Sequence, residues 1–427
     1  MRQILIGVLL VVSIFSAGAA FAQQLMPEPV ESSDLITPVN TLPVSIESVV
    51  RRRGLLMGEP SRNLIIFSST GITGASAALY EVCVPRRRIH NQWQGLETIY
   101  PSMTRSGRAS TGSLIQTFSG MGRCLGLVSD DNFVLPGFIQ GEADQKAVDL
   151  SIFNMALSFS DLKDAQERAK IINSASGSEL PVALTFAELE RLFTQKTTRI
   201  VGCFYGPVSP PETALTTAKT GIRQPGFAEL VSSAVSRLSV AREGFFLTVN
   251  YRSVADARNK NCFWQMLEHK KIQDSVLQQL VSFVYSRRDT LLLVVDEPEA
   301  GNWSIGQNFD SKAFVADLKK IPDVLRALSD KPADAAAILG KYYSGVTFAI
   351  DELLLALNAG DTQNVSSMIE KGLNAAHQVS FTRHATILAN AGMTVFSLGR
   401  NAEMFFGLSS FEDFYRRLLS CIKISAE

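Results

Sequence analysis

Six short apolar runs recur along the chain, at residues 64–67, 124–128, 200–205, 245–249, 291–295 and 393–397. Most lack the apolar–polar alternation of a strand with one wet face, so they predict strands buried on both faces of a parallel sheet. Helical periodicity fills the intervals. Phe227, Leu230, Val231, Ala234, Val235 and Leu238 keep the i, i+3, i+4, i+7 spacing of one buried stripe. Ile272, Val276, Leu280 and Phe283 repeat it just ahead of the 289–295 run. Thr185 with Glu188 three residues later forms a capping box ahead of Phe186, Leu189 and Leu192. The alternation predicts an α/β body, a mostly parallel central sheet flanked by helices. Ligands in such a body sit at the carboxyl ends of the strands.

Two regions depart from this rhythm. Residues 311–376 are rich in Ala and Leu, read as helical, and are broken by Pro322 and Pro332. Residues 353–375 within them faintly resemble one ankyrin unit. A single unit cannot bury its own core, so the expectation is a helical insertion on the α/β body, which itself spans 62–427. Residues 23–61 read as an extended arm with Pro27, Pro29, Pro38, Pro43 and Pro60. Ahead of them Arg2, the apolar run 4–15 and Ala20-Phe21-Ala22 have the form of a secretory signal peptide over 1–22. That run is shorter than the ~20 apolar residues of a membrane span. The mature chain is therefore expected to be exported, periplasmic or extracellular, and not an integral membrane protein.

Composition narrows the partners. The 41 basic residues balance 41 acidic ones, which argues against nucleic acid. Arg51–Arg53 and Arg86–Arg88 read as solvated turns rather than binding patches. Five cysteines are too few for a disulfide scaffold, and their odd number leaves at least one unpaired or intermolecular.

Several segments, in order, resemble the alkaline phosphatase family from about Arg62 to Gly407. Residues 62–73 are similar to the family's KNVILFIGDGMG, and 95–100 to the GLVKTYS that precedes its nucleophile. Residues 110–122 parallel SAATATAYATGVK, and 199–205 parallel RVLGLFA. Residues 226–238 resemble PSLAEMTEKAIEVL, 244–249 resemble GFFLMVE, and 289–302 resemble DTLVIVTADHETGG. The resemblance implies an alkaline phosphatase-like fold and a homodimer. It also implies a serine nucleophile beside two zinc ions and one magnesium ion, held by Asp, Glu and His at strand ends.

Ser110 stands at the nucleophile position, but the ligand positions hold the wrong chemistry. The family Asp after the first strand is Thr70, and the Asp before the nucleophile is Ala109. Along 249–259 the metal Glu becomes Asn250, the Asp becomes Ala255, the first His becomes Asp256 and the last becomes Asn259. Glu297 and Pro298 take the places of the Asp-His pair, and proline has no side-chain donor for zinc. Around 129–136 the family's HATP has no His, and Lys146 is merely near the place of its phosphate-binding Arg. The chain has only four histidines, His90, His269, His377 and His384, and no C-x-x-C pair. Only His384 lies near a late family His, as a possible remnant.

The resulting expectation is an exported, catalytically inactive relative with a binding or interaction role, no metal cofactor, and a protein or small phosphorylated ligand as partner. Simple phosphate binding by Ser110 and strand-end amides is compatible with it. The alternative is a phosphomonoester hydrolase with a reshaped site. It would use Ser110, Asp256, Glu297 and His384 around a cation, with zinc and magnesium as cofactors. Thr70, Ser110, Asn250 and Glu297 are expected to converge at the carboxyl edge of one sheet.

Overall fold

The computed structural model describes residues 60–83, 95–100, 121–131, 133, 150–160, 162, 164–176, 180–195, 197–205, 223–299, 301–307, 309–383 and 393–422. Residues 1–59, Ala109, Ser110, His90, Lys146 and His384 lie outside them, and with them the signal-peptide reading and nearly all of the arm.

The six apolar runs all become strands of one ten-stranded sheet. In chain order its strands are β1 (Asn63–Thr70), β2 (Gly95–Tyr100), β3 (Cys124–Ser129), β4 (Met155–Ser160) and β5 (Val182–Ala183). They continue with β6 (Ile200–Tyr205), β7 (Phe245–Tyr251) and β8 (Thr290–Glu297). A separate antiparallel pair follows, β9 (Gly301–Ile305) with β10 (Val379–Arg383), before β11 (Met393–Gly399) and β12 (Gly407–Ser410) rejoin the sheet. The spatial order is β12-β2-β11-β8-β1-β7-β3-β4-β6-β5. Every pairing is parallel except those of β11 with β8 and with β2.

The absent alternation now has its cause. Ile65, Phe67, Leu247, Val249, Leu292 and Val294 face one core cluster, whereas Leu64, Ile66, Phe246, Leu291, Leu293 and Val295 face the other. Each central strand is apolar on both faces because helices cover both.

The first helices are α1 (Gly74–Cys83), α2 (Ala165–Ser176), α3 (Phe186–Thr194), α4 (Phe227–Leu238), α5 (Ser253–Asn259) and α6 (Phe263–Ser286). α3 starts at the anticipated capping box: Glu188 N donates to Thr185 Oγ1 at 3.3 Å and Thr185 N donates to Glu188 Oε2 at 3.0 Å. The stripe on α4 is buried throughout. Residues 311–376 form five helices, α7 (Ser311–Leu318), α8 (Ile321–Asp330), α9 (Ala335–Tyr342), α10 (Ile350–Asn358) and α11 (Thr362–Ala376), and α12 (Phe411–Ile422) closes the chain. The ribbon β9–β10 brackets the five helices, with Gly301 opposite Arg383. Glu370 of α11 is fully buried and accepts from the amides of Trp264 and Gln265, at 2.9 and 3.4 Å. It caps the N-terminus of α6 and so ties the helical layer to the sheet.

No helix among the described residues is long and apolar enough to cross a membrane. All five cysteines are free, and four of them are buried.

Candidate functional site

Thr70 and Glu297 are register partners at the carboxyl ends of β1 and β8. Two residues earlier Ser68 faces Val295 on one side and Asn250 of β7 on the other, and Asn250 also faces Ser129 of β3. Thr70, Asn250 and Glu297 therefore do converge on one sheet edge. Ala255, Asp256 and Asn259 lie on α5, which leaves that edge after β7; Asp256 and Asn259 are exposed. Pro298 follows β8 directly.

The acidic groups of the edge are already engaged. Asp296 is 6 % exposed and accepts from the amides of Ile72 at 3.1 Å and Thr73 at 2.8 Å, and from the Thr73 hydroxyl. Burial pushes its carboxyl up to about 6, although the Thr73 and Ile72 bonds and Lys270 oppose the shift. Glu297 Oε1 accepts from Ser68 Oγ at 2.7 Å. Glu299 accepts from Ser76 N with both oxygens at 3.3 Å, and the Arg258 guanidinium stands 3.6 Å from it. Arg258 is 2 % exposed and also lies over the Phe381 ring, 5.3 Å from its centroid. It occupies a position in the 249–259 stretch where the family segment has a histidine.

Beyond β3, Asp130 Oδ2 accepts from the Ser253 amide and hydroxyl, both at 2.6 Å, and so holds the start of α5. Burial raises its carboxyl to about 6 as well. Asp130 Oδ1 and Thr70 Oγ1 are buried and make no hydrogen bond.

A second layer lies beneath. Lys270, 3 % exposed, donates to the Gly71 carbonyl at 2.6 Å and to Gln273. Gln273 in turn donates to Ser69 Oγ at 2.6 Å and to the Thr70 carbonyl at 3.1 Å. Burial lowers the Lys270 ammonium, against the pull of Asp274, Asp296 and Glu299. His269 is held at about 3 by burial, hence neutral, with Nδ1 3.0 Å from the Tyr251 hydroxyl. It is a core histidine, and His377 pairs with Asp317 at 3.0 Å.

Sequence reasoning missed Asp130, Arg258, Lys270 and Gln273. Lys270 and Gln273 did carry a signal, for they fall on the same buried face of α6 as Phe263, Met266, Leu267 and Leu277. The pairing of Arg258 with Glu299 carried none, because it joins residues from two separate strand ends.

These residues do not fit the metals that the family segments imply. Zinc and magnesium take carboxylate and imidazole donors, and the edge offers a neutral hydroxyl at Thr70, an amide at Asn250 and no donor at Pro298. The carboxylates of Asp296, Glu297 and Glu299 accept hydrogen bonds from the chain itself, and a buried guanidinium beside Glu299 repels a divalent cation. Among the described residues no three His, Cys, Asp or Glu side chains are grouped to hold a metal.

No family model matches the chain, and no curated protein matches it. Solved structures do. An alkaline phosphatase from Thermus thermophilus superposes with a TM-score of 0.58 at 18 % identity, covering 86 % of this chain and 92 % of that one. A cold-active alkaline phosphatase from the psychrophile Shewanella sp. gives 0.59 at 15 % identity, covering 85 % of this chain and 100 % of that one. With its parallel sheet, its carboxyl-edge site and these structural neighbours, the chain has the alkaline phosphatase-like fold.

Proposed function

We propose that this is an exported alkaline phosphatase-like protein without phosphatase turnover, which acts by binding. One observation carries the reading: the carboxylates that end β8 are spent on Ser68, Thr73, Ser76 and Arg258 within the chain. A cation at this edge would have to displace those chain partners and stand near the Arg258 guanidinium, and a serine hydroxyl without a metal or a neighbouring base is an ordinary alcohol. A protein partner, a second copy included, suits the edge better than a small phosphorylated ligand. The amides of Ile72, Thr73 and Ser76 that could cradle a phosphate are already bonded to Asp296 and Glu299.

The test is metal analysis of the purified protein together with phosphomonoester hydrolysis after zinc and magnesium supplementation, with Ser110→Ala in parallel. The expected result is no stoichiometric zinc and no turnover above background in either protein. Hydrolysis that vanishes in Ser110→Ala would overturn the reading in favour of a reshaped site using Ser110, Asp256, Glu297 and His384.

A further inference from the structure

The opposite edge of the sheet has a different chemistry. Here β1, β3, β7 and β8 begin and α4 and α6 end. Backbone bonds knit these turns together: Arg62 N to Asp289 O at 2.9 Å, Cys124 N to Gly244 O at 3.1 Å and Arg400 N to Thr290 O at 2.9 Å. Arg62 lies directly on Gly244, where an added Cβ would come 2.2 Å from the Arg62 carbonyl oxygen and 2.7 Å from its Cγ. Arg62, Arg242 and Arg288 are exposed on this surface. Among the described residues none of the three makes an ion pair.

Two acids share this edge: Asp289 accepts from Asn63 Nδ2 at 3.0 Å and stands 3.5 Å from Arg287, and Glu243 is exposed beside Arg242, so the arginines outnumber the acids. The turns that carry the arginines also expose two large apolar side chains. Val240 is 74 % exposed in the turn with Arg242, and Tyr285 is 59 % exposed at the end of α6, ahead of Arg288. The chain as a whole is neutral, so this concentration of cations is local.

We propose that this edge is a docking surface for an anionic lipid bilayer. Guanidinium groups meet headgroup phosphates in the same plane where Val240 and Tyr285 enter the apolar boundary beneath them. A nucleic acid backbone would satisfy the arginines but leave both apolar tips without a partner. Docking in this way turns the carboxyl edge, with Thr70 and Glu297, away from the bilayer. The inference does not depend on whether that edge is catalytic.

The experiment is cosedimentation of the full chain with vesicles of phosphatidylglycerol and phosphatidylcholine, or of phosphatidylcholine alone, at low and high salt. Wild type is expected to bind only the anionic vesicles and to be released by salt. Reversing the charges together (Arg62→Glu, Arg242→Glu, Arg288→Glu) should weaken binding by roughly tenfold or more. The pair Val240→Ser and Tyr285→Ser should weaken it several-fold at both salt concentrations. All five residues are exposed, and circular dichroism melts confirm that the variants fold. Unchanged vesicle binding by the charge-reversed protein would overturn the proposal and assign any binding to another segment. Equal binding to duplex DNA or polyglutamate, with no effect of the Val240–Tyr285 pair, would overturn it in favour of a general polyanion surface.

Discussion

Asp130 and Asp296 are carboxylates whose burial makes them weaker acids in the folded protein than in the unfolded chain. Their folded pKa values, about 6, lie above the unfolded value of about 3.9. The native state therefore binds protons more tightly in that interval. The corresponding stability is fully present below about pH 4 and is lost as pH rises through 6. His269 acts oppositely, because its depressed pKa makes acidification below about 6.5 destabilising. Single variants separate the two. Between pH 7 and pH 5 wild type should gain about 1 kcal/mol of unfolding free energy relative to Asp296→Asn, measured by urea titration. An identical pH response in the two proteins would refute the buried-carboxylate account. Arg258 is a second residue-scale test. Arg258→Ala leaves Glu299 without its cation in a mostly buried place and should cost about 3 kcal/mol. Adding Glu299→Gln should recover part of the loss in a double-mutant cycle.

At the scale of elements, Glu370 is a fully buried polar link between the helical layer and α6. Glu370→Ala removes the acceptor of the Trp264 and Gln265 amides and uncaps the 24-residue helix α6. The expected loss is about 1–3 kcal/mol. It should appear in hydrogen exchange as faster exchange at the first turn of α6 and in α11, with β1 and β7 protected as before. Loss of protection spread evenly over the whole chain would argue against a local clasp. β4 shows why one sheet strand escaped the sequence reading. Met155-Ala156-Leu157-Ser158-Phe159-Ser160 ends in an alternation that suggests one wet face, yet Ser158 and Ser160 are buried. Neighbours on both sides, β3 and β6, bury a strand whose own composition would have left it half exposed.

For the whole molecule, export is the reading that most constrains function, and it rests on residues 1–22. Mature protein from the native host should begin near Gln23 by N-terminal sequencing, and retention of Met1 would sink the idea. Burial holds the thiols of Cys83, Cys262 and Cys421 at about 12, so they are protonated and unreactive at neutral pH.

The sequence by itself determined the α/β class, the six apolar strands, the capping box at Thr185 and the helical character of 311–376. These features are local or periodic and can be read from neighbouring residues. It also placed Thr70, Asn250 and Glu297 on one edge, because parallel strands bring their carboxyl ends together whatever their order. Only the tertiary structure decided which charges meet there. Arg258 reaches Glu299 across a separation of 41 positions, and Asp130 reaches Ser253 across 123. No periodicity encodes such distances; the sheet order that sets β3, β7, β1 and β8 side by side creates both pairs.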